Sequence, residues 1–84
     1  MDELKDTVEL MISENFQDRF KAEYRQLLIR YDKLATMIFK YERGMLDFEP
    51  ICPISILRHQ QFAMELYMNA LKDRAKLEGI DLNV

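Results

Sequence analysis

The sequence predicts an all-α fold, an antiparallel, coiled-coil-like two-helix hairpin with a short N-terminal helix in front of it, expected to oligomerise. Three observations carry this. Of the 84 residues, 49% are hydrophobic while only two are glycine and two proline, which favours long helices over a turn-rich β fold. Two apolar ladders with alternating spacings of three and four flank a ten-residue turn, and such spacing is the seam of a helix pair that repeats every ~3.5 residues. The chain is also short, so burying every apolar stripe within one copy is difficult, and self-association is one remedy.

The first element is a short helix over about 2–13, with Leu4, Val8, Met11 and Ile12 on one stripe. Asp2, Glu3 and Asp6 crowd its first turn, where the helix dipole favours negative charge. Ser13-Glu14-Asn15 leaves two readings open. Asn15 can cap a new helix with Asp18 as its capping-box partner, or Met11, Ile12 and Phe16 can run on unbroken.

The first long helix is expected over 16–43, about 40 Å at ~1.5 Å per residue. Its ladder reads Phe20, Tyr24, Leu27, Tyr31, Leu34, Ile38 and Tyr41, with Leu28, Ala35 and Glu42 on the flank. Arg19, Arg30, Lys33, Lys40 and Arg43 fall on the outer face. Gly44 ends the helix, because it alone takes the left-handed conformation after a C-cap without strain.

The turn, Gly44 to Pro53, is apolar, and Met45, Leu46, Phe48 and Ile51 are expected to fold over the open end of the hairpin. Pro50 pushes Glu49 out of helical geometry, and Pro53 suits the start of the next helix, where a missing N–H costs nothing.

The second long helix is expected over 54–78, closed by Gly79, with a short tail behind it. Its ladder reads Leu57, Gln60, Met64, Tyr67, Leu71, Arg74 and Glu78. Folding the chain back at Glu49 pairs Leu27 with Leu71, Tyr31 with Tyr67, Leu34 with Met64 and Tyr41 with Leu57. A second stripe, Ile56, Phe62, Ala63, Leu66, Ala70 and Leu77, needs the N-terminal helix, a second chain or a ligand to cover it. It is the expected oligomer interface.

Charge excludes some functions. The formal net charge is −3, so the chain lacks the basic excess of a dedicated nucleic-acid binder. The distribution is uneven. Residues 1–15 carry five acids (Asp2, Glu3, Asp6, Glu9, Glu14) against Lys5, whereas 16–43 carry seven bases against four acids. The one cysteine, Cys52, excludes an internal disulfide, and the one histidine, His59, has no neighbouring ligand for a metal site. Cys52 and His59 are seven residues apart, poor geometry for a dyad. Both read as packing or surface residues. No enzyme, cofactor or metal is expected, nor any membrane segment, and the acidic N-terminus is the wrong sign for a secretory leader.

The polar ladder positions admit two readings. Gln60 opposite Ile38, and Arg74 paired with Glu23, would fix the register of the hairpin. Alternatively they belong to a ligand-binding set, Tyr24, Arg30, Tyr31, Lys33, Tyr67 and Arg74, in which tyrosines stack a base and cations hold phosphate.

At Gln60-x3-Met64-x2-Tyr67-x3-Leu71-x2-Arg74, preceded by Ile56-Leu57, the chain resembles a family of short phage and prophage proteins named after a protein of a crAss-like phage. Glu23, Leu27, Arg30, Lys33 and Leu34 fit it as well, so the resemblance covers roughly 16–78. It implies a small viral helical hairpin and carries over no catalytic residues. Three partner classes follow as expectations: a second copy of the chain, a host protein, or a small anionic nucleotide. On this reading the protein works in the host cytoplasm against an antiviral defence. The alternative is a structural adaptor that pairs with partner helices.

Overall fold

The computed structural model describes residues 3–82, and among these every regular element is helical. A single 3-10 turn, Leu4–Thr7, runs into the one-turn helix α1, Val8–Met11. Two long helices follow, α2, Phe16–Glu42, and α3, Ile54–Glu78. They pack antiparallel and set the long axis of a body 43 × 24 × 19 Å.

The chain breaks at Ser13–Asn15. Asn15 caps α2, its side-chain oxygen accepting from the Gln17 N–H at 2.7 Å. The expected capping box with Asp18 does not form, because Ser13 takes both partners: its hydroxyl donates to the Asp18 carboxylate at 2.8 Å and accepts from the Asn15 N–H at 3.1 Å. The Arg19 guanidinium closes the corner on the Ser13 carbonyl at 2.7 Å.

The segment before that break buries a different face from the one expected. Val8, Met11 and Ile12 are largely exposed. Thr7 is fully buried, with Leu4 and Leu10 half-buried three residues to either side. A spacing of three is the period of a 3-10 helix, where residues i and i+3 eclipse, so the opening turn re-phases the whole segment. Thr7 satisfies its buried hydroxyl by donating to the Leu4 carbonyl at 2.7 Å and accepting from Gln26 Nε2 at 2.8 Å. Gln26 ties the segment to α2, and its amide also reaches Met11 Sδ at 3.3 Å. Beneath it Ala22 and Ile29 are buried, on the side of α2 opposite its seam.

The α2 ladder is the observed seam from Phe20 to Ile38, while Tyr41 lies at the exposed end. On α3 the shared anchors Leu57, Met64 and Leu71 are inside, but the intervening positions shift by one: Gln61, Met68 and Ala75 face α2 where Gln60, Tyr67 and Arg74 were expected. Met68 and Ala75 are wholly apolar there. Tyr67 and Arg74 can instead lay their stems along the seam and carry their polar tips to its edge.

Leu27 and Leu71 share one core cluster with Phe20, Met68, Ala75 and Ile80, and Met64 bridges it to a second cluster of Leu34, Ile38 and Leu57. Tyr41 is absent from that second cluster, so its expected partnership with Leu57 is replaced by Cys52 and Ile54 closing over Leu57.

Both glycines end their helices in the left-handed region, at φ +67° for Gly44 and +71° for Gly79. Each allows a returning hydrogen bond, Met45 N–H to the Lys40 carbonyl and Ile80 N–H to the Ala75 carbonyl, both 2.8 Å. After Gly79 the chain is not a free tail, since Ile80 is buried against Phe20 and Leu71 and Leu82 packs beside it. The 44–53 turn departs from expectation in the other direction. Met45, Phe48 and Ile51 point to solvent rather than over the hairpin, and only Leu46, Pro50 and Cys52 are half-buried.

Candidate functional site: a basic edge beside the seam

Antiparallel helices present like flanks to one another, so the residue just before each inner position lines one edge of the hairpin. On α2 these are Glu23 and Arg30, and on α3 Gln60, Tyr67 and Arg74. The Tyr67 hydroxyl donates across the seam to the Glu23 carboxylate, which fixes this edge in the structure. Arg30 follows Glu23 by about two turns, roughly 10 Å, and Gln60 precedes Tyr67 by the same distance. One step further round α2, on the same side, come Arg19, Gln26, Lys33 and Lys40.

The edge therefore gathers five bases, Arg19, Arg30, Lys33, Lys40 and Arg74, against two acids, Glu23 and the Glu78 that Arg74 bonds. The opposite edge is mixed, with the Glu42–Arg58 ion pair at 2.6 Å at its turn end. A one-sided field of this kind attracts anions.

Among the described residues no ion pair or hydrogen bond holds the side chain of Arg30, Lys33 or Lys40. Arg74 is differently placed. Its Nε donates to Glu78 at 3.1 Å and its guanidinium lies 4.8 Å from the centre of the Phe20 ring. The expected Glu23–Arg74 pair is absent because Glu23 is taken by Tyr67.

The six-residue ligand set thus divides. Arg30, Tyr67 and Arg74 share the edge and Lys33 borders it, spread along the hairpin rather than gathered in one pocket. Tyr24 and Tyr31 are half-buried in the seam against the core. The Tyr31 hydroxyl leaves on the other side, donating to Glu65 at 2.7 Å. Both tyrosines bound to carboxylates are held above the usual phenol pKa, first by the hydrogen bond to the acid and then by burial. Lys40 and Gln60 complete the edge. In the sequence Lys40 belongs to an outer basic stripe with Arg30, Lys33 and Arg43 that is either solvated or meets phosphate or an acidic protein face, and Gln60 reads as a core amide. The corrected phase of α3 brings Gln60 to the edge.

His59 is exposed and Cys52 half-buried, and among the described residues no group of His, Cys, Asp and Glu is placed to hold a metal ion. No described helix is long and apolar enough to cross a membrane. The expected oligomer stripe is open: Ile56, Phe62, Leu66 and Leu77 are 55, 58, 56 and 88% exposed.

Compared with known families, the chain matches the model of the Sequestin family over residues 14–77, which takes in all of α2 and α3 except the last residue. Neither a curated protein nor a solved structure matches it.

Proposed function

The chain belongs to the Sequestin family, and from that premise we propose that it acts by holding a small anionic nucleotide signal stoichiometrically, without turning it over. The family name is that of a sequestering protein, which supports a binding role. The observation that carries the choice of ligand is the basic edge, along which Arg30, Lys33 and Lys40 are exposed and the partly exposed ring of Tyr67 is held by its bond to Glu23. Phosphate suits such cations, and a base suits a partly exposed tyrosine ring. The resemblance to phage proteins supports the setting: a phage accessory protein that removes a host antiviral signal in the host cytoplasm.

The open apolar back of α3 favours a second reading, in which the chain masks a host protein or joins partner helices as a structural adaptor. Calorimetry of the purified protein against a panel of linear and cyclic nucleotides separates the two. Binding at micromolar or tighter affinity that is lost in the double variant Arg30→Ala/Lys33→Ala supports sequestration. If no member of the panel binds while a pull-down from host extract recovers a stoichiometric protein partner, the second reading replaces it. A co-purified nucleotide would be conspicuous at 260 nm, because the chain has no tryptophan and four tyrosines.

A further inference from the structure

The back of α3 is a second ladder in its own right. Positions 56, 59, 63, 66, 70, 73 and 77 follow one another at alternating spacings of three and four, the period that a partner helix reads. Five of the seven are Ile, Leu or Ala, and the two polar members are His59 and Asp73. A solvent face has no physical need of that period. Nor can the 4–11 segment serve it, since that segment lies on the back of α2, where Thr7 bonds Gln26.

We propose that a second copy of the chain covers this face, α3 packing antiparallel on α3 about a two-fold axis that passes close to Leu66. The ladder is its own reverse. About a point between 66 and 67, residue 56 mirrors 77 and 63 mirrors 70, while 59 and 73 mirror each other to within one residue. Isologous pairing needs such a self-complementary surface. It sets Ile56 near Leu77 of the other copy at both ends. In the middle, Leu66 of each copy enters the shallow ground between Ala63 and Ala70 of the other, as a knob enters a hole.

Charge selects the direction. Antiparallel pairing brings His59 to Asp73, where an imidazole N–H can donate to the carboxylate. Parallel pairing would set Asp73 against Asp73, and like charges across an interface oppose it. The exposed parts of Ile56, Phe62, Leu66 and Leu77 offer roughly 500 Å² per copy, at about 200 Å² for a whole large side chain. With the alanines and the His–Asp pair this approaches the ~800 Å² per partner of a standard interface.

The dimer stands apart from the nucleotide reading. It would nevertheless join the two basic edges, because Tyr67 lies next to the axis and meets its symmetry mate there.

Sedimentation equilibrium without any ligand tests the proposal. The wild type is expected to be dimeric at micromolar concentration. Leu66→Glu should weaken association about 100-fold or more with helicity retained by circular dichroism, since the side chain points away from the monomer core. Ala63→Arg, at a position also exposed in one copy, provides the same test through bulk. His59→Glu should weaken the dimer about tenfold, and His59→Glu/Asp73→Lys should restore it by reversing the pair. A wild type that stays monomeric at high micromolar concentration overturns the proposal. So does a dimer indifferent to both Leu66→Glu and Ala63→Arg, or a charge-reversed double variant no tighter than His59→Glu.

Discussion

The two long helices are nearly equal, 27 residues in α2 and 25 in α3, and both carry apolar residues on front and back. Only one of them has its back covered. Ala22 and Ile29 on α2 are 1 and 8% exposed beneath the 4–11 segment, whereas the corresponding positions on α3 stand in solvent. The difference lies in side-chain size and in what the chain has left to spend. Ala22 and Ile29 make a small, local patch that two helical turns can cover. The α3 stripe runs the length of its helix and needs another helix. An apolar back therefore has two meanings in one molecule, internal core on α2 and open surface on α3.

The largest way to break that contrast is to cut the seam both helices share. Leu71 is 1% exposed at the centre of the core that joins α2 to α3. Leu71→Ala should cost about 2–5 kcal/mol, measured by urea denaturation. Small domains hold only ~5–15 kcal/mol in total, so the variant should be close to unfolding.

The sharper experiment compares the two backs directly. Ile29→Ala opens a space beneath the N-terminal segment and should cost about 2–4 kcal/mol. Leu66→Ala, at a concentration where the chain is monomeric, should stay within about 0.5 kcal/mol of wild type, as surface changes do. Equal costs at the two sites would mean that α3's back is covered within the chain after all.

How much of this was legible follows the same line. The hairpin and its anchors Leu57, Met64 and Leu71 could be read because apolar residues at 3.5-residue spacing leave few other options. The alternate α3 positions could not be settled by period alone, since 60, 67 and 74 keep the same average spacing as 61, 68 and 75. Tyr67 is a large aromatic that resembles a core residue, yet its hydroxyl needs a partner and finds Glu23 at the edge. That one-residue phase error hid the basic edge by putting Gln60 and Arg74 inside the seam. The N-terminal segment was misphased for another reason. The α-helical period selects Leu4, Val8 and Met11, while a 3-10 opening selects Leu4, Thr7 and Leu10, and a threonine does not announce itself as core. The turn is not legible either, because apolar composition alone does not say which side chains the backbone can bring inward.

A smaller effect concerns how α3 ends. Gly79 holds φ at +71°, which puts the Ile80 N–H on the Ala75 carbonyl and Ile80 into the core. A Cβ there meets nothing within 4 Å, so the cost of Gly79→Ala is purely the left-handed backbone, about 1–2 kcal/mol. The signature is a lower melting temperature with the fold intact.

The smallest expected effect is that of the two tyrosine–glutamate bonds at the edges of the seam. Hydrogen bonding to Glu65 and Glu23 raises the Tyr31 and Tyr67 hydroxyls above the ordinary phenol value of 10.0. For an acid whose folded pKa is raised, the neutral form is the one the fold favours. Its contribution is therefore present below pH ~10 and is lost as pH climbs through the folded pKa. The melting temperature should fall above pH ~10, with no matching step on the acid side from these groups. Tyr67→Phe and Tyr31→Phe should each remove part of that alkaline fall. Tyr67 is 44% exposed, so water screens its bond and its share should be the smaller one. An alkaline slope unchanged in the double variant would show that these bonds do not couple the two helices.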